Sequence, residues 1–351
     1  MSSGAPTGLP RLGFLGTGWI GRHRMERIAE SGVAEIAYVC DSSSACLEEA
    51  TLAVPQAKVA GNFDELLEVG LDGIVIATPS ALHAEQSIRA LEEGIAVFCQ
   101  KPLGRTAREA ASIVNAAKRA DKLLGVDLSY RFTQGMQLIR DRISQGNMGH
   151  VFACDLTFHN AYGPDKPWFY NATLSGGGCV MDLGVHLVDL ALWVLGFPQV
   201  NHVASRLFAS GKPLERGASQ VENYATANLD LEGGTIAQLA CSWKLSAGCD
   251  AIISATFYGT EGGLSFHNVN GSFYDFVAEE FRGTSRKTLA CPPDAWGGRA
   301  AVAWARQLKQ NSGFDPQISH VVQVASVLDA IYGREGIRHN CERESFQDFS
   351  A

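Results

Sequence analysis

The chain has 351 residues, 46% of them hydrophobic and 19% charged, with a formal net charge of −8. That length exceeds one hydrophobic core of usual size, so two domains are expected, and the apolar content supports both without a disulfide or metal staple. The acidic balance and the scattered Lys and Arg exclude a basic nucleic-acid footprint, but not a dinucleotide, whose pyrophosphate a helix N-terminus can bind through backbone N–H groups.

The amino terminus, MSSGAPTGLPRLGFLG, has no basic stretch followed by a long apolar one, so no signal peptide is expected. No apolar run reads as long enough to cross a bilayer, and no membrane is expected as a partner. The nine cysteines are odd in number, widely spaced and without a C-x-x-C pair. They argue against a disulfide framework or zinc knuckle, and for a reducing cytoplasm. Cys40 and Cys99 each close an apolar run and read as small buried hydrophobes.

From residue 11 to about 127, short apolar runs alternate with helical patterns. The runs at 12–15, 36–40, 73–77, 96–99 and 124–126 are nearly continuous, as in a parallel sheet covered on both faces. Helices are expected between them at 20–30, 81–93 and 107–120. In the second of these Ala84, Ile88 and Leu91 share one face. The alternation predicts βαβ units in an open, doubly wound sheet.

The turn after the first run reads Gly16-Thr17-Gly18-Trp19-Ile20-Gly21, a G-x-G-x-x-G. Gly16 permits the tight turn, Gly18 lets the backbone approach a pyrophosphate, and Gly21 allows close helix–strand packing. The next strand is followed by Asp41, twenty residues after Gly21. A carboxylate there accepts from the adenosine ribose diol and repels a 2′-phosphate, which favours NAD over NADP. An ordinary strand–turn–helix with a capping Asp is the competing reading.

The strand at 73–77 ends in Ala77-Thr78-Pro79, which places Thr78 and Pro79 at the carboxyl edge where ligands bind. His83 follows on the next helix, either as a cofactor contact or as a satisfied structural histidine. The strand at 96–99 runs into Gln100-Lys101-Pro102. A lysine on the lip of an apolar cleft polarises a carbonyl or orients a hydroxyl.

Beyond Tyr130 the pattern changes. A helix is expected at 134–145 with Gly146 as its C-cap, a strand at 151–158, and a long loop over 159–178 rich in Gly, Pro and aromatics. A helix then runs from 182 to 195, ended by Gly196 and Pro198. Runs at 223–231, 235–243 and 251–258 predict a mostly antiparallel sheet, with a turn at 232–234. Helices near 300–310 and 318–332 close the chain. The domain boundary is expected near 128, giving 1–128 for the dinucleotide domain and 129–351 for an α+β substrate and oligomerisation domain.

On the helix from 182, Asp182 and His186 are four apart and share a face, with Asp189 three further on. Histidine titrates near neutral pH and suits proton transfer to or from an alcohol. Asp182 would orient the imidazole or the substrate hydroxyl. No third ligand with metal spacing accompanies the pair, so no metal is expected. A buried His–Asp pair with a structural role remains open.

These features, in this order, resemble the glucose–fructose oxidoreductase/inositol dehydrogenase/MocA family. They are the fingerprint at Gly16–Gly21, Ala77-Thr78-Pro79 with His83, Lys101-Pro102, Tyr130-Arg131-Phe132, and the three glycines 176–178 with Asp182-x-Gly184-x-His186-x-x-Asp189. The resemblance covers nearly the whole chain. It implies a Rossmann domain followed by an α+β domain with a large open sheet, often buried on one face in a homodimer or homotetramer. It implies that Lys101, Asp182 and His186 form the catalytic group. It also implies that Tyr130 and Arg131 lie near the nicotinamide and substrate.

The reaction implied is hydride transfer between a nicotinamide and a secondary alcohol or ketone of a sugar, glycoside or inositol-like polyol. One departure stands out: the family usually has Glu-Lys-Pro, and this chain has Gln100. Its amide can still hydrogen-bond the nicotinamide ribose. Tyr162, Trp168, Phe169 and Tyr170 in the long loop suit the apolar faces of sugar rings; core or interface packing is the other reading of Trp168 and Phe169. Two rival functions remain: transient oxidation that enables glycoside cleavage, and a non-catalytic NAD-binding sensor, against which the intact group of Lys101, Asp182 and His186 argues.

Overall fold

A computed structural model describes residues 8–215 and 220–334. The residues before 8, where a signal peptide was sought, and residues 335–351 of the expected second domain lie outside it.

The first half is built from β1 (Arg11–Leu15), α1 (Trp19–Ser31), β2 (Glu35–Cys40), α2 (Ser44–Ala53), β3 (Lys58–Val59), α3 (Phe63–Glu68), β4 (Gly73–Ile76), α4 (Ser80–Glu92), β5 (Ala96–Cys99), α5 (Ala107–Ala120) and β6 (Leu124–Val126). The six strands pair in parallel in the order β3-β2-β1-β4-β5-β6. Strand order reverses between β1 and β4, and ligands of such sheets sit at the carboxyl ends there. The sequence pattern did not mark α2, β3 or α3. Both residues of β3 are exposed, and each of the two helices buries a single residue, so no apolar run or stripe announces them.

The second half continues with α6 (Gln134–Ser144), β7 (Val151–Asn160), α7 (Ala172–Ser175), α8 (Val185–Val194), β8 (Val200–Ala209), β9 (Lys212–Pro213), β10 (Tyr224–Leu231), β11 (Ile236–Ser242), β12 (Ala251–Gly259), β13 (Gly262–Asn268), β14 (Phe276–Arg282), β15 (Ser285–Ala290), α9 (Arg299–Gln310) and α10 (His320–Ile331). Its nine-stranded sheet runs β15-β14-β13-β12-β7-β11-β10-β8-β9, antiparallel except where β7 meets β11. The sequence did not resolve β14 and β15. The first carries two glutamates, and the second is a polar edge with four exposed residues.

Two segments differ from expectation. The expected loop over 159–178 contains the end of β7, a short turn of helix at Pro167–Tyr170, and α7. The helix expected from 182 begins earlier, with a wide π turn at Val180–Gly184 that leads into α8. Every residue of α8 is buried. The helical run from Ala172 to Val194 is in fact long and apolar enough to cross a bilayer, contrary to the sequence reading. The fold buries 94% of its most apolar window, so core packing accounts for that apolarity.

Helices α6, α8 and α10 back the nine-stranded sheet, while α1 and α9 cover one face of the parallel sheet and α4, α5 and α10 the other. Trp304 of α9 lies across Gly73 and Gly125 and meets Phe98 at 5.6 Å between ring centroids. The far end of the chain thus returns to complete the first core.

Candidate active site

A cleft of about 530 Å³ opens between the carboxyl edge of the parallel sheet and the nine-stranded sheet. Gly18, Trp19, Ile20, Thr78, Pro79, Gln100, Lys101, Tyr130, Trp168, Asp182 and His186 all line it. Most of the residues singled out in the sequence are therefore brought to one place from six separate segments.

At the dinucleotide end, Gly16 has φ +88, and a Cβ there would lie 2.7 Å from the Ala77 backbone, so the turn requires glycine. A Cβ on Gly18 would meet nothing within 4 Å, which leaves open space above the start of α1. That helix has no side-chain cap at Gly18, so its first N–H groups stay available to an anion. Asp41 lies outside the cleft lining. Its Oδ2 accepts from Thr17 N–H at 2.6 Å and its Oδ1 from Ser43 N–H at 2.8 Å. These bonds keep the carboxylate at the rim of the glycine turn. The residues present fit a dinucleotide.

At the reactive end, Lys101 Nζ donates to Asp182 Oδ1 and to the Asp182 carbonyl, each at 2.7 Å. Asp182 Oδ2 accepts from Trp243 Nε1 at 3.0 Å. Two roles were expected of Asp182, orienting the imidazole or orienting the substrate hydroxyl; its carboxylate oxygens meet Lys101 and Trp243, and among the described residues no hydrogen bond joins it to His186. His186 is buried, and its ring packs edge-on against Tyr130 at 4.9 Å. Burial first, then the positive charges of Lys101 and Arg24, push its pKa well below 6.5. The imidazole is therefore neutral at physiological pH and free to accept a proton.

Four other sequence candidates stand elsewhere. Gly21 sits beneath the turn, where a Cβ would strike the Gly16 carbonyl oxygen. His83 is 1% exposed, with its ring nitrogens 2.8 Å from the Pro102 and Thr78 carbonyl oxygens. It ties the Thr78 and Lys101 loops together from behind and does not line the cleft. Arg131 also faces away. Asp189 accepts from its Nε at 2.8 Å and from its second nitrogen at 2.5 Å, a two-pronged pair buried beside Trp193. Tyr162 is 56% exposed and donates its hydroxyl to Asp250. The chemistry of these residues was legible in the sequence; the direction of their side chains was not.

The cleft also holds residues the sequence reading missed, among them His23, Arg24, Asp127, Asn160, Tyr274 and Trp296. Asp127 directly follows β6, so the carboxyl-edge logic that found Thr78 and Lys101 would have found it too.

A pyrophosphate cradle at one end of a cleft, and a neutral imidazole near an ammonium at the other, equip a chain for dinucleotide-dependent oxidation and reduction. Residues 11–128 match a family model described as "Oxidoreductase family, NAD-binding Rossmann fold", and residues 136–265 match one described as "GFO/IDH/MocA C-terminal domain". The chain is 31% identical over 254 residues to the rhizopine catabolism protein MocA of Rhizobium meliloti, covering 72% of this chain and 76% of that one. It is 29% identical over 245 residues to D-glucoside 3-dehydrogenase of Escherichia coli (strain K12), covering 66% and 69%. Levoglucosan dehydrogenase in complex with NADH shares its fold, with a TM-score of 0.80 at 20% identity over 93% and 96% of the two chains. The protein belongs to the Gfo/Idh/MocA family of oxidoreductases.

Proposed function

We propose that the protein reversibly oxidises a secondary alcohol of a sugar or glycoside to the ketone, with NAD as hydride acceptor. The observation that carries this reading is the buried, neutral His186 facing the same cleft as the Lys101 ammonium. A nicotinamide held at the Gly16–Gly21 turn, with Thr78 and Gln100 beside it, would supply the hydride acceptor for the carbinol carbon. His186 accepts the hydroxyl proton, and Lys101 stabilises the developing negative charge on that oxygen. Asp182, held by Trp243, keeps the ammonium aimed into the cleft.

Trp168 and Phe169 stack at 3.8 Å and, with Tyr274 and Trp296, give the substrate side aromatic faces suited to sugar rings. The names of the relatives support a sugar or glycoside. NAD is preferred because the Asp41 carboxylate repels a 2′-phosphate. We place the domain boundary near 128, with α9 counted to the first domain because its core lies there. The uncovered face of the nine-stranded sheet, with Ile236, Ile252 and Tyr258 exposed, suits a homodimer or homotetramer. The eight described cysteines are all free, in keeping with a cytoplasmic location.

The test follows NADH formation over a panel of hexoses, glycosides and inositols, with NAD and NADP offered in parallel. Oxidation of one sugar or glycoside group, abolished by His186→Ala, is the expected result. Binding of NADH without turnover of any panel member, and with no ketone product, would overturn the reading.

A further inference from the structure

In the cleft wall, Arg24, Asp127 and Gln100 form a chain to which the proposed reaction assigns no step. Asp127 Oδ2 accepts from Arg24 Nε and from Gln100 Nε2, each at 2.6 Å. Arg24 is 5% exposed, Asp127 1% and Gln100 7%. Asp127 Oδ1 is buried with no partner. Holding a carboxylate there, half unsatisfied, is costly, and a single ion pair with Arg24 does not explain it.

Gln100 supplies the explanation. A carboxylate only accepts, so the amide nitrogen of Gln100 must face Asp127. Its Oε1 is then turned the other way. That oxygen accepts from no described residue, yet it is not among the enclosed, unpartnered atoms, so it keeps contact with the open cleft that Gln100 lines. We infer that Asp127, neutralised by Arg24, is a positioning residue that locks Gln100 as a pure acceptor for a hydroxyl of the cofactor's nicotinamide-side ribose. The location agrees: Gln100 follows β5 beside Lys101 and near Thr78, at the carboxyl edge where that half of a dinucleotide lies. This rests on the dinucleotide reading above.

The test measures NADH affinity by fluorescence titration, with thermal unfolding alongside, for wild type, Asp127→Asn, Gln100→Glu and the double exchange. In Asp127→Asn the neighbour offers a donor as well as an acceptor, so the amide at 100 is no longer held in one orientation, and the dissociation constant should rise about five-fold, the scale of one hydrogen bond. In Gln100→Glu two carboxylates meet where 2.6 Å now separates donor from acceptor, so affinity should also fall. The double exchange restores one carboxylate and one amide beside Arg24 and presents an acceptor whichever way residue 100 turns. Its affinity should return to within about two-fold of wild type, a rescue that a purely structural ion pair would not produce. Unchanged affinity in Asp127→Asn, or a double exchange no tighter than the weaker single variant, would overturn the inference. If Asp127→Asn does not fold, the double exchange must still bind more tightly than Gln100→Glu. Wild-type protein that binds neither NADH nor NADPH would instead sink the functional reading itself.

Discussion

Lys101→Met keeps the length and apolar stem of the side chain and removes the ammonium that donates to Asp182 at 2.7 Å. Two consequences can be worked from the geometry. A donor aimed at an oxygen that gains charge in the transition state is worth roughly 10²–10³ in kcat. Turnover should fall by that factor. Lys101 also helps to hold the His186 pKa down, second to burial. Its removal should therefore move the imidazole back toward 6.5, an effect readable from the imidazole signals in an NMR titration. NADH affinity should change less than about three-fold, because the pyrophosphate cradle at Gly16 and Gly18 is untouched. Initial rates by NADH absorbance and a fluorescence titration complete the assay. Turnover within about three-fold of wild type, or a loss matched by weakened NADH binding, would refute the role assigned to Lys101.

Four further outcomes follow from the same geometry. Trp168→Ala should raise the sugar KM about ten-fold with NADH affinity unchanged, since Trp168 stands on the substrate side; an unaltered KM for every substrate would remove it from the site. Asp189→Asn breaks a buried pair with Arg131 that faces away from the cleft. It should cost about 3–5 kcal/mol in urea unfolding while the folded variant keeps its kcat, and a kcat loss without destabilisation would return Arg131 to the substrate. Gly178→Ala would drive a Cβ into the Glu222 carbonyl oxygen and displace the segment before Asp182, so turnover should collapse; normal turnover would show that this segment yields. The His186 pKa is lowered, so the base stays unprotonated as pH falls through 6.5, and kcat/KM for oxidation should be lost only at more acidic pH. An acid limb at or above 6.5 in the pH profile would contradict a depressed imidazole.

What the sequence showed and what it hid divide along the range of the interactions. The glycine turn was legible because backbone conformation sets it: Gly16 at φ +88 and the packed Gly21 are needs of neighbouring residues. The parallel strands were legible because burial on both faces leaves a continuous apolar run. The partners of Asp182 were hidden, because Lys101 lies 81 residues away and Trp243 61, distances that no helical spacing announces. The pairing of Arg24 with Asp127 spans 103 residues, and no window along the chain shows it. Arg131 shows the converse limit. A guanidinium at the domain junction suits a substrate, but a buried carboxylate on α8 claims it first.

The division of labour within the cleft has a physical basis in the same contacts. The segment that carries Asp182 and His186 is held from behind by Glu222, which is 1% exposed. Its Oε1 accepts from Gly178 and Val180 N–H groups at 3.0 and 2.9 Å, and from the Tyr332 hydroxyl at 2.7 Å. Burial raises the Glu222 pKa, and those donors work against the rise. A carboxylate so enclosed leaves the π turn and α8 little freedom, which suits groups that must keep reacting atoms in line. The opposite wall is different. Trp168 and Phe169 are half-buried, and they stand on a short helical turn in which no residue is fully buried. Substitution there disturbs little of the core. On the proposed reading, substrate choice can therefore change on that wall while His186, Lys101 and the glycine turn stay fixed.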